Sequence, residues 1–494
     1  MENGLFENGL PSVGATALNY IDGKWEGATQ ERWSDRYDPA DQSVLVARSP
    51  DSSKQDAARA IDAASRAADE WRTWTAPSRA RLLFAWLHWI DERRDEIAEL
   101  LTREEGKILP ESVGEVKRAL DILEYTAGIG RRLDGKVYPS DEATVFCYST
   151  PQPLGVVGLI SPWNFPVAIP VWKIAPALIA GNTVVLKPSP LTPLTATALV
   201  RGLEEVGCPL GVVNLVHGDV EPGEELVSNE SVNGISFTGS TKVGKAIARA
   251  ASERLLKLQL ELGGKNPQIV LDDADLDDAV SGVVSGGLGS TGQRCTATSR
   301  ALVTEKIYDA FLDKLVSRAS AMKVGPGIEP GVDMGPLVDQ RALNGVTGWL
   351  TVGGSEGARL RTGGSRSETS SLAKGLFFQP TVVEAQQGMQ ITREEIFGPV
   401  VAVIKVKDFE EAIGLANSVR YGLTSTVFTR DIARVFSFAE RARAGMVHVN
   451  RPGVGGYPHV PFGGIKDSGY GGREVGDEVM SFYTETKVVY VNFK

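Results

Sequence analysis

The sequence predicts an α/β protein built on parallel sheets. From about residue 154, short apolar segments of strand character alternate with amphipathic helical segments. Such alternation produces right-handed crossovers and a parallel sheet with helices on its faces. After Gly264 the alternation resumes with a different spacing, which indicates a second α/β unit. Hydrophobic residues make up 42% of the 494 residues and charged residues 23%, the balance of an ordinary globular protein.

The first half of the chain contains most of the clearly periodic segments. Residues 1–50 are polar and turn-rich with short strand-like pieces, and two helices are expected next, over residues 54–74 and 79–101. Strands are then expected at residues 155–160, 183–188, 212–218, 234–240 and 257–264, with helices at 173–181, 192–207, 223–229 and 241–252. The apolar run 165–186 contains Lys173 and several prolines, so we interpret it as a buried segment followed by a strand, and not as a membrane span.

The second half begins with a strand over residues 268–273 and a helix capped near Asp273 or Asp275. A glycine-rich run, GGLGSTGQRC, follows, and the unit extends to about residue 462. The Gly/Ser-rich stretch 353–371 is expected to be a surface loop. The C-terminal segment, SFYTETKVVYVNF, is predicted as a strand that either pairs with another subunit or closes its own domain.

Charge and cysteine content narrow the function classes. The chain has 52 basic and 62 acidic side chains, so its net charge of −10 argues against nucleic acid as a partner. Its three cysteines are an odd, widely spaced set, which favours a reducing compartment over a disulfide framework. The four histidines show no zinc-site spacing, so no metal is expected. The N-terminus has no basic region ahead of an apolar stretch, and a cytoplasmic protein with no membrane partner is expected.

Two segments of the sequence match nucleotide-binding motifs. Residues 287–292 match GxGxxG but follow a predicted helix, whereas the dinucleotide fingerprint needs a preceding strand. Residues 239–245 match GxxxxGK between a strand and a helix, but Ala246 stands where a P-loop needs a hydroxyl for Mg²⁺. A P-loop nucleotide hydrolase is therefore only the alternative function. The strand, glycine turn and helix N-terminus still suit a nucleotide phosphate.

Four polar residues follow strand ends or lie in loops that converge on one side of the predicted sheets. Cys295 follows the glycine-rich run, next to Arg294, which would help to hold a thiolate; a small buried hydrophobe is the other interpretation, and it suits Cys147 and Cys208. Glu261 is a general base or a ribose-binding acid. Asn164 is an oxyanion donor or a turn residue. Lys187 ends a strand at the same edge.

The motifs SPWNFP, VVLKPSP, GISFTGST, LELGGKNP, GQRCTA, EEIFGPV and PFGGIKDSGYGGRE occur in order along nearly the whole chain. In this order and approximate spacing they resemble the aldehyde dehydrogenase superfamily. The resemblance implies a Rossmann-like parallel-sheet cofactor domain, an α/β catalytic domain and a small β oligomerisation flap. The implied boundaries are 1–131 and 151–262 for the cofactor domain, 263–478 for the catalytic domain, and 132–150 with 479–494 for the flap.

The resemblance also implies roles at matching positions. Cys295 is expected to be the nucleophile, Glu261 the general base for thioester hydrolysis, and Asn164 the oxyanion donor. Members that pass the acyl group to coenzyme A generally lack this glutamate, so a free acid is the expected product. Cofactor-binding positions are Trp163, Lys187, Pro190, Thr238, Gly239, Ser240, Glu395 and Phe397. Many relatives have Glu where this chain has Pro190, so either NAD or NADP is expected.

The substrate expected from the resemblance is a small-molecule aldehyde. Expected pocket residues are Phe165, Ile169, Trp172, Arg294, Thr296, Tyr457, His459 and Phe462, although a packed loop is the other interpretation of Tyr457 and His459. The GQRCTATSR context looks most like semialdehyde-oxidising branches, which favours an aliphatic acid semialdehyde over an aromatic aldehyde. The family resemblance implies a homodimer or homotetramer. A non-catalytic lens-type relative would usually have lost Cys295 or Glu261.

Overall fold

The structure is a computed structural model that describes residues 10–367, 369 and 371–494. The N-terminal segment from which the absence of a leader was predicted, residues 1–9, lies outside the described residues, as do residues 368 and 370 of the Gly/Ser-rich stretch. No helix in the described ranges is both long and apolar enough to cross a membrane.

The N-terminal part consists of short strands followed by four helices. These are β1 (Ala15–Thr16), β2 (Asn19–Ile21), β3 (Lys24–Glu26), β4 (Trp33–Asp38), β5 (Asp41–Pro50), α1 (Lys54–Trp71), α2 (Ala76–Glu92), α3 (Arg94–Glu105) and α4 (Leu109–Gly128), with a 3-10 turn at Ile129–Arg131. The single helix predicted over residues 79–101 is two helices, because Arg93 leaves helical geometry at φ −113° and ψ 15°. Helix α4 has no counterpart among the predicted elements.

The next segment contains a two-stranded excursion and the first α/β unit. Its elements are β6 (Lys136–Tyr138), β7 (Val145–Pro153), β8 (Val156–Ile160), α5 (Ala168–Ala180), β9 (Thr183–Lys187), α6 (Pro193–Glu205), β10 (Val213–Leu215), α7 (Glu221–Ser228), β11 (Val232–Thr238), α8 (Thr241–Ser252) and β12 (Lys257–Glu261). The predicted strand and helix alternation of this unit is confirmed.

The second α/β unit follows the first after the short connection 262–265. Its elements are β13 (Asn266–Val270), α9 (Leu276–Val283), a π-helical turn (Val284–Leu288), a 3-10 turn (Gly289–Gly292), β14 (Thr298–Thr304), α10 (Tyr308–Ser320), α11 (Gln340–Ser355), β15 (Arg359–Thr362), β16 (Thr381–Glu384), a 3-10 turn (Gln390–Thr392), β17 (Val400–Val406), α12 (Phe409–Asn417), β18 (Tyr421–Gly422), β19 (Thr424–Phe428), α13 (Ile432–Arg441) and β20 (Met446–Val449). Asp275 caps α9 by accepting hydrogen bonds from the next turn. The stretch 353–371, predicted as a loop, includes the end of α11 and all of β15.

The C-terminal part ends in a long strand. It contains β21 (Ile465–Lys466), β22 (Gly469–Tyr470), a 3-10 turn (Asp477–Val479), α14 (Met480–Tyr483) and β23 (Thr484–Asn492). Strand β23 pairs antiparallel with β7 of the same chain, and β7 pairs with β6. The predicted C-terminal strand therefore closes a three-stranded sheet within its own chain.

Two large sheets position the functional residues. The first has the order β22-β12-β11-β8-β9-β10-β2-β3, and its five strands from β12 to β10 are parallel. Helices α2 to α6 pack on one face, whereas α1, α7 and α8 pack on the other. From β8 the chain adds β9 and β10 on one side, then β11 and β12 on the other. A parallel sheet binds ligands at the carboxyl ends of its strands beside such a reversal.

The second sheet has the order β15-β16-β17-β14-β13-β19-β20 and is parallel except for β15. Strand β12 of the first sheet leads into β13 of the second through residues 262–265 alone. The carboxyl end of one sheet therefore faces the amino end of the other. Strand β22 lies within the expected catalytic segment 263–478 but pairs with β12 of the first sheet. Two small sheets, β1-β5-β4 and β18-β21, complete the strands.

Candidate active site

Glu261 lies at the junction of the two sheets as the last residue of β12. Its side chain is buried, and Oε2 accepts a hydrogen bond of 3.3 Å from the backbone N–H of Gly464. Oε1 is buried without a hydrogen-bond partner among the described residues. A Cβ on neighbouring Gly463 would collide with this oxygen. The absence of a side chain at Gly463 therefore leaves one carboxylate oxygen free to take a proton.

The charges around Glu261 form a buried group. Burial raises the pKa of Glu261 well above its usual value, and the carboxylate of Glu474 raises it further, whereas Lys173 and Arg473 act in the opposite direction. Lys173 and Glu474 form an ion pair with almost no exposure. Lys173 Nζ also donates to Ser236 Oγ over 2.7 Å. A carboxyl with a raised pKa suits a base that must bind and release a proton near neutral pH.

The loop before Cys295 has an unusual backbone. Ser290 and Thr291 have φ of 48° and 56°, and Gly292 follows with φ of 67°. A Cβ on Gly292 would collide with the backbone of Gly398, so this glycine permits a close backbone approach. The loop is held by hydrogen bonds from Ser290 N–H to Glu111 (2.7 Å) and from Thr291 Oγ1 to the Gly335 carbonyl (3.0 Å). Strained backbone held so firmly is typical of functional sites.

The second sheet positions the Cys295 backbone. Asn266, the first residue of β13, donates from Nδ2 to the carbonyl of Cys295 over 2.8 Å. Burial, followed by the charges of Glu395 and Glu261, raises the pKa of the Cys295 thiol. The guanidinium of Arg294 donates to Glu111 and to Ser290 Oγ, each over 2.9 Å. Arg294 was expected to help hold a thiolate, but its guanidinium is directed to Glu111, which compensates its charge.

Asn164 lies beside the cysteine loop. Its Nδ2 donates to the carbonyl of Gln293 over 2.9 Å, and its own backbone carbonyl accepts from Lys107 Nζ over 2.6 Å. Lys107 is fully buried in an ion pair of 2.6 Å with Glu115. Glu115 in turn accepts from the backbone N–H groups of residues 167 and 168 at the start of α5. The segment that carries Asn164 is therefore anchored to the buried start of α4.

Four of these residues were missed in the sequence analysis: Lys107, Glu115, Lys173 and Glu474. Lys173 had a usable signal, because it is a single charge inside the apolar run 165–186 and a buried charge requires a partner. Glu474 lies in the quoted motif PFGGIKDSGYGGRE, but nothing local distinguishes it from a surface acid. Lys107 and Glu115 lie in an ordinary polar context, so no sequence signal marks them.

The carboxyl end of β11 leads through a glycine turn into the N-terminus of α8. Thr238 ends the strand, Gly239 makes the turn, and Ser240 caps α8 by accepting from the N–H of Val243 over 3.3 Å. The free N–H groups and dipole of a helix N-terminus bind phosphate. Lys245, the lysine of the P-loop string, forms an ion pair of 2.6 Å with Asp467 instead. The GxGxxG string at 287–292 lies in helical turns and does not follow a strand.

The carboxyl end of β9 borders a cavity. Lys187 Nζ donates to the carbonyls of Pro188, Gly218 and Asp219 at 3.0–3.1 Å. Burial lowers the pKa of Lys187 to about 8. Pro190, Gly218 and Asp219 also line a cavity of about 520 Å³. Pro190 thus forms part of the wall of a cavity beside Lys187, to which it contributes neither charge nor a hydrogen-bond donor.

Trp163, Glu395 and Phe397 lie between the nucleotide side and Cys295. The rings of Trp163 and Phe397 meet edge to face with centroids 5.5 Å apart, and Phe397 has φ of 55°. Glu395 accepts from the backbone N–H of Gly264 over 2.9 Å, and burial raises its pKa to about 7. The structure brings these residues to the same junction as Glu261.

An apolar cluster of side chains adjoins the Asn164 segment. Its members pack into one cluster: Ile122, Phe165, Ile169, Trp172, Phe462 and Val475. The rings of Trp172 and Phe462 lie 5.4 Å apart, and in the described structure the buried indole N–H of Trp172 has no acceptor. The expected pocket residues Phe165, Ile169, Trp172 and Phe462 are thus brought together.

The remaining expected pocket residues have separate environments. The rings of Tyr457 and His459 stack at 5.8 Å, and His459 also faces Tyr125 at 6.2 Å. Tyr457 is largely exposed, so the pair lies at the outer edge of the apolar cluster. Thr296 is buried directly after Cys295, whereas Arg294 is directed to Glu111.

Comparison with known proteins decides the family. The family model described as "Aldehyde dehydrogenase family" matches residues 25–489 of this chain. The chain belongs to the aldehyde dehydrogenase family. The family resemblance expected from the sequence motifs is confirmed, and the P-loop alternative is not supported.

Several relatives are similar over almost the full length. The chain is 43% identical to the α-ketoglutaric semialdehyde dehydrogenase of Bacillus subtilis, covering 96% of this chain and 98% of the relative. It is 42% identical to the α-ketoglutarate semialdehyde dehydrogenase of Haloferax volcanii, covering 96% of this chain and 99% of the relative. It is 41% identical to the 2,5-dioxopentanoate dehydrogenase of Saccharolobus solfataricus, covering 94% of this chain and 98% of the relative.

The fold is shared with solved family members. A structure of Staphylococcus aureus betaine aldehyde dehydrogenase with NAD⁺ superposes with a TM-score of 0.94 at 37% identity, covering 96% of this chain and 94% of that one. The aldehyde dehydrogenase fold and an NAD(P)-dependent oxidation of an aldehyde to the acid are thereby confirmed. The cofactor of this aldehyde dehydrogenase is NAD or NADP.

Proposed function

We propose that this aldehyde dehydrogenase oxidises an aliphatic semialdehyde whose other end is a carboxylate, of the 2,5-dioxopentanoate type, to the dicarboxylic acid. The observation that carries the proposal is the shared substrate in the names of three relatives that are 41–43% identical over at least 94% of this chain. The apolar cluster beside Asn164 suits the methylene chain of such a substrate.

The residues at the junction of the sheets fit a dinucleotide. Ser240 and the N-terminus of α8 would hold the pyrophosphate, Lys187 and Glu395 the two riboses, and Trp163 with Phe397 the nicotinamide half. The cavity of about 520 Å³ beside Pro190 leaves room for the adenosine end. When bound, the cofactor takes a hydride from the substrate carbon.

Cys295 carries the first covalent step. Its sulfur attacks the aldehyde carbon, the thiol proton passes to solvent water, and the carbonyl oxygen takes the negative charge as its double bond opens. The developing oxyanion is held by the Asn164 amide and the Cys295 backbone N–H, whose positions are held by Lys107 and Asn266.

Glu261 acts after loss of the hydride, when the substrate is a thioester on Cys295. Its free carboxylate oxygen accepts a proton from water, the hydroxide adds to the thioester carbon, and the carbon–sulfur bond breaks to release the acid, with the proton passing to the sulfur. The buried Lys173–Glu474 pair keeps opposite charges beside Glu261 during this transfer.

The three-stranded sheet supports subunit contact. Strand β23 has its second edge unpaired within the described residues. Seven large apolar or aromatic side chains of this sheet region are exposed: Val137, Tyr138, Phe146, Val488, Tyr490, Val491 and Phe493. An exposed strand edge with apolar side chains is suited to pairing with another chain. We therefore assign segments 132–150 and 479–494 to oligomerisation into a homodimer or homotetramer, 1–131 and 151–262 to cofactor binding, and 263–478 to catalysis.

A substrate panel tests the proposed function. Reduced cofactor is followed with 2,5-dioxopentanoate, pentanal, benzaldehyde and betaine aldehyde, each with NAD⁺ and with NADP⁺. We expect the highest kcat/KM with the carboxylate-bearing semialdehyde. A higher kcat/KM with benzaldehyde or betaine aldehyde would contradict the proposal. Light scattering of the purified protein tests the oligomer, and a monomer would contradict that assignment.

A further inference from the structure

Helix α4 presents one stripe of side chains to the substrate side of the molecule. Glu115, Arg118, Ile122 and Tyr125 follow one another at the three- and four-residue spacing that places side chains on one helix face. Glu115 contacts the start of α5 through the N–H groups of residues 167 and 168. Ile122 packs in the apolar cluster with Phe165 and Trp172. Arg118 lies between these two contacts, so it faces the same side.

The loop opposite Arg118 has no side chain at the point of closest approach. A Cβ built on Gly456 would stand 3.4 Å from Nη2 of Arg118. Gly455 beside it has φ of 80°, a conformation that favours glycine. The two glycines directly precede Tyr457 and His459, whose rings stack. The guanidinium therefore lies between α4 and the loop that carries these two rings.

Arg118 has no counter-ion in direct contact among the described residues. In the part of the chain that the structure describes, the guanidinium of this half-buried arginine makes no hydrogen bond and no ion pair within 4 Å. Burial lowers its pKa, and Asp121, one turn further along the helix, acts weakly in the opposite direction. The buried Arg79 and Arg300 donate to backbone carbonyls, and Arg294 pairs with Glu111. A partly buried guanidinium without an acceptor is costly unless a ligand supplies one.

We propose that Arg118 binds the carboxylate at the far end of the substrate, opposite the aldehyde group. This inference rests on the proposed function, because only a carboxylate-bearing aldehyde supplies the acceptor. A guanidinium matches a carboxylate with two parallel hydrogen bonds, which orients the chain as well as attracting it. The methylene chain then lies along the apolar cluster, and the aldehyde end is directed toward Asn164 and Cys295.

The positive charge of Arg118 also disfavours aldehydes that lack a carboxylate. A substrate with a quaternary ammonium at its far end meets a like charge at Arg118 and is disfavoured. An uncharged aldehyde of equal length binds the apolar cluster but leaves the guanidinium without an acceptor. Arg118 is thus a specificity-determining residue, and the chemistry at Cys295 does not depend on it.

The test compares Arg118→Met with Lys117→Met, which removes the same charge from the exposed, adjacent position on α4. Both variants and the wild type are assayed with 2,5-dioxopentanoate and with pentanal. Charged hydrogen bonds of this kind change kcat/KM by about 10- to 100-fold. We expect Arg118→Met to lose that factor with 2,5-dioxopentanoate, mostly in KM, and to keep its kcat/KM for pentanal. Lys117→Met is expected to match the wild type with both substrates.

Inhibition by glutarate gives a readout independent of turnover. We expect glutarate to compete with pentanal in the wild type and to lose about 10-fold or more in affinity in Arg118→Met. Equal losses with 2,5-dioxopentanoate and pentanal would indicate a structural role and overturn the proposal, as would an unchanged preference for 2,5-dioxopentanoate. If the wild type itself fails to prefer 2,5-dioxopentanoate over pentanal, the proposed function fails, and Arg118 loses its assigned role with it.

Discussion

Replacing Glu261 by Gln separates the two halves of the proposed reaction. Gln has the same shape, and its carbonyl oxygen can still accept the hydrogen bond that Gly464 donates over 3.3 Å. What the variant loses is the free carboxylate oxygen that takes a proton from water. We therefore expect one equivalent of reduced cofactor to form, at least in part, before the enzyme stalls as a thioester on Cys295.

The expected fall in steady-state turnover follows from the proposed role of Glu261 as a general base. General-base assistance is typically worth about 10²–10⁴-fold, so steady-state turnover should fall by that factor while the first-turnover burst survives. Stopped-flow detection of reduced cofactor measures the burst, and mass spectrometry of the quenched protein detects the acyl adduct on Cys295. Both measurements use the same quenched reaction, so the amount of adduct should match the burst amplitude.

Glu261→Gln should also change the free energy of unfolding in a predictable direction. Burial and Glu474 hold the folded-state pKa of Glu261 above its unfolded value. Ionisation therefore lowers the free energy of unfolding as pH rises from the unfolded pKa toward the folded one, by about 1.4 kcal/mol for each unit of separation. Gln cannot ionise, so Glu261→Gln should be at least as stable as the wild type at pH 8, measured by thermal unfolding.

A second buried glutamate provides the control. Glu104 is fully buried, burial raises its pKa to about 7, and it accepts hydrogen bonds from residues 194 and 195 at the start of α6. Glu104→Gln should lower stability but leave the ratio of burst to steady-state rate unchanged. Our reasoning is refuted if Glu261→Gln forms no acyl adduct and saturating cofactor restores its rate, the behaviour of a ribose-binding acid.

Further predictions concern the nucleophile, the cofactor and the base. Cys295→Ala should abolish oxidation but keep cofactor affinity in a fluorescence titration, whereas Cys208→Ala should stay active; turnover by the first variant would exclude the thioester route. Pro190→Glu should shift the ratio of kcat/KM values toward NAD⁺, because its carboxylate would repel a 2′-phosphate in the cavity beside Lys187. An unchanged ratio would show that another residue decides. Glu474→Gln removes a charge that raises the pKa of the general base, so the acidic limb of its pH–rate profile for thioester hydrolysis should move to lower pH; a shift to higher pH would contradict the assignment.

The order of strands and helices could be read from the sequence where periodicity is strong. The alternation from β8 to β12 was predicted element by element, because each buried strand is a short apolar run and each helix has a turn signal before it. The prediction failed at the boundary between α2 and α3, where a non-helical Arg93 lies within a continuous apolar periodicity. Helix α4 was not predicted at all. Val116, Ala119, Leu123 and Ala127 recur at helical spacing on its buried face, but the polar residues Ser112 and Glu115 on the same face weaken that signal.

The sequence alone therefore determined the fold class and the family. It also selected Cys295, Glu261 and Asn164 as candidate site residues, because each follows a recognisable strand end or lies in a motif. Only the tertiary structure decided which charges surround them. Lys173 and Glu474 form a buried pair although they are 301 residues apart, and Lys107 reaches Asn164 across 57 residues. The packing of α4 against the 455–459 loop leaves Arg118 without an acceptor among the described residues. Periodicity reports which face of an element is buried, but a buried charge is defined by its partners, and those come from distant parts of the chain.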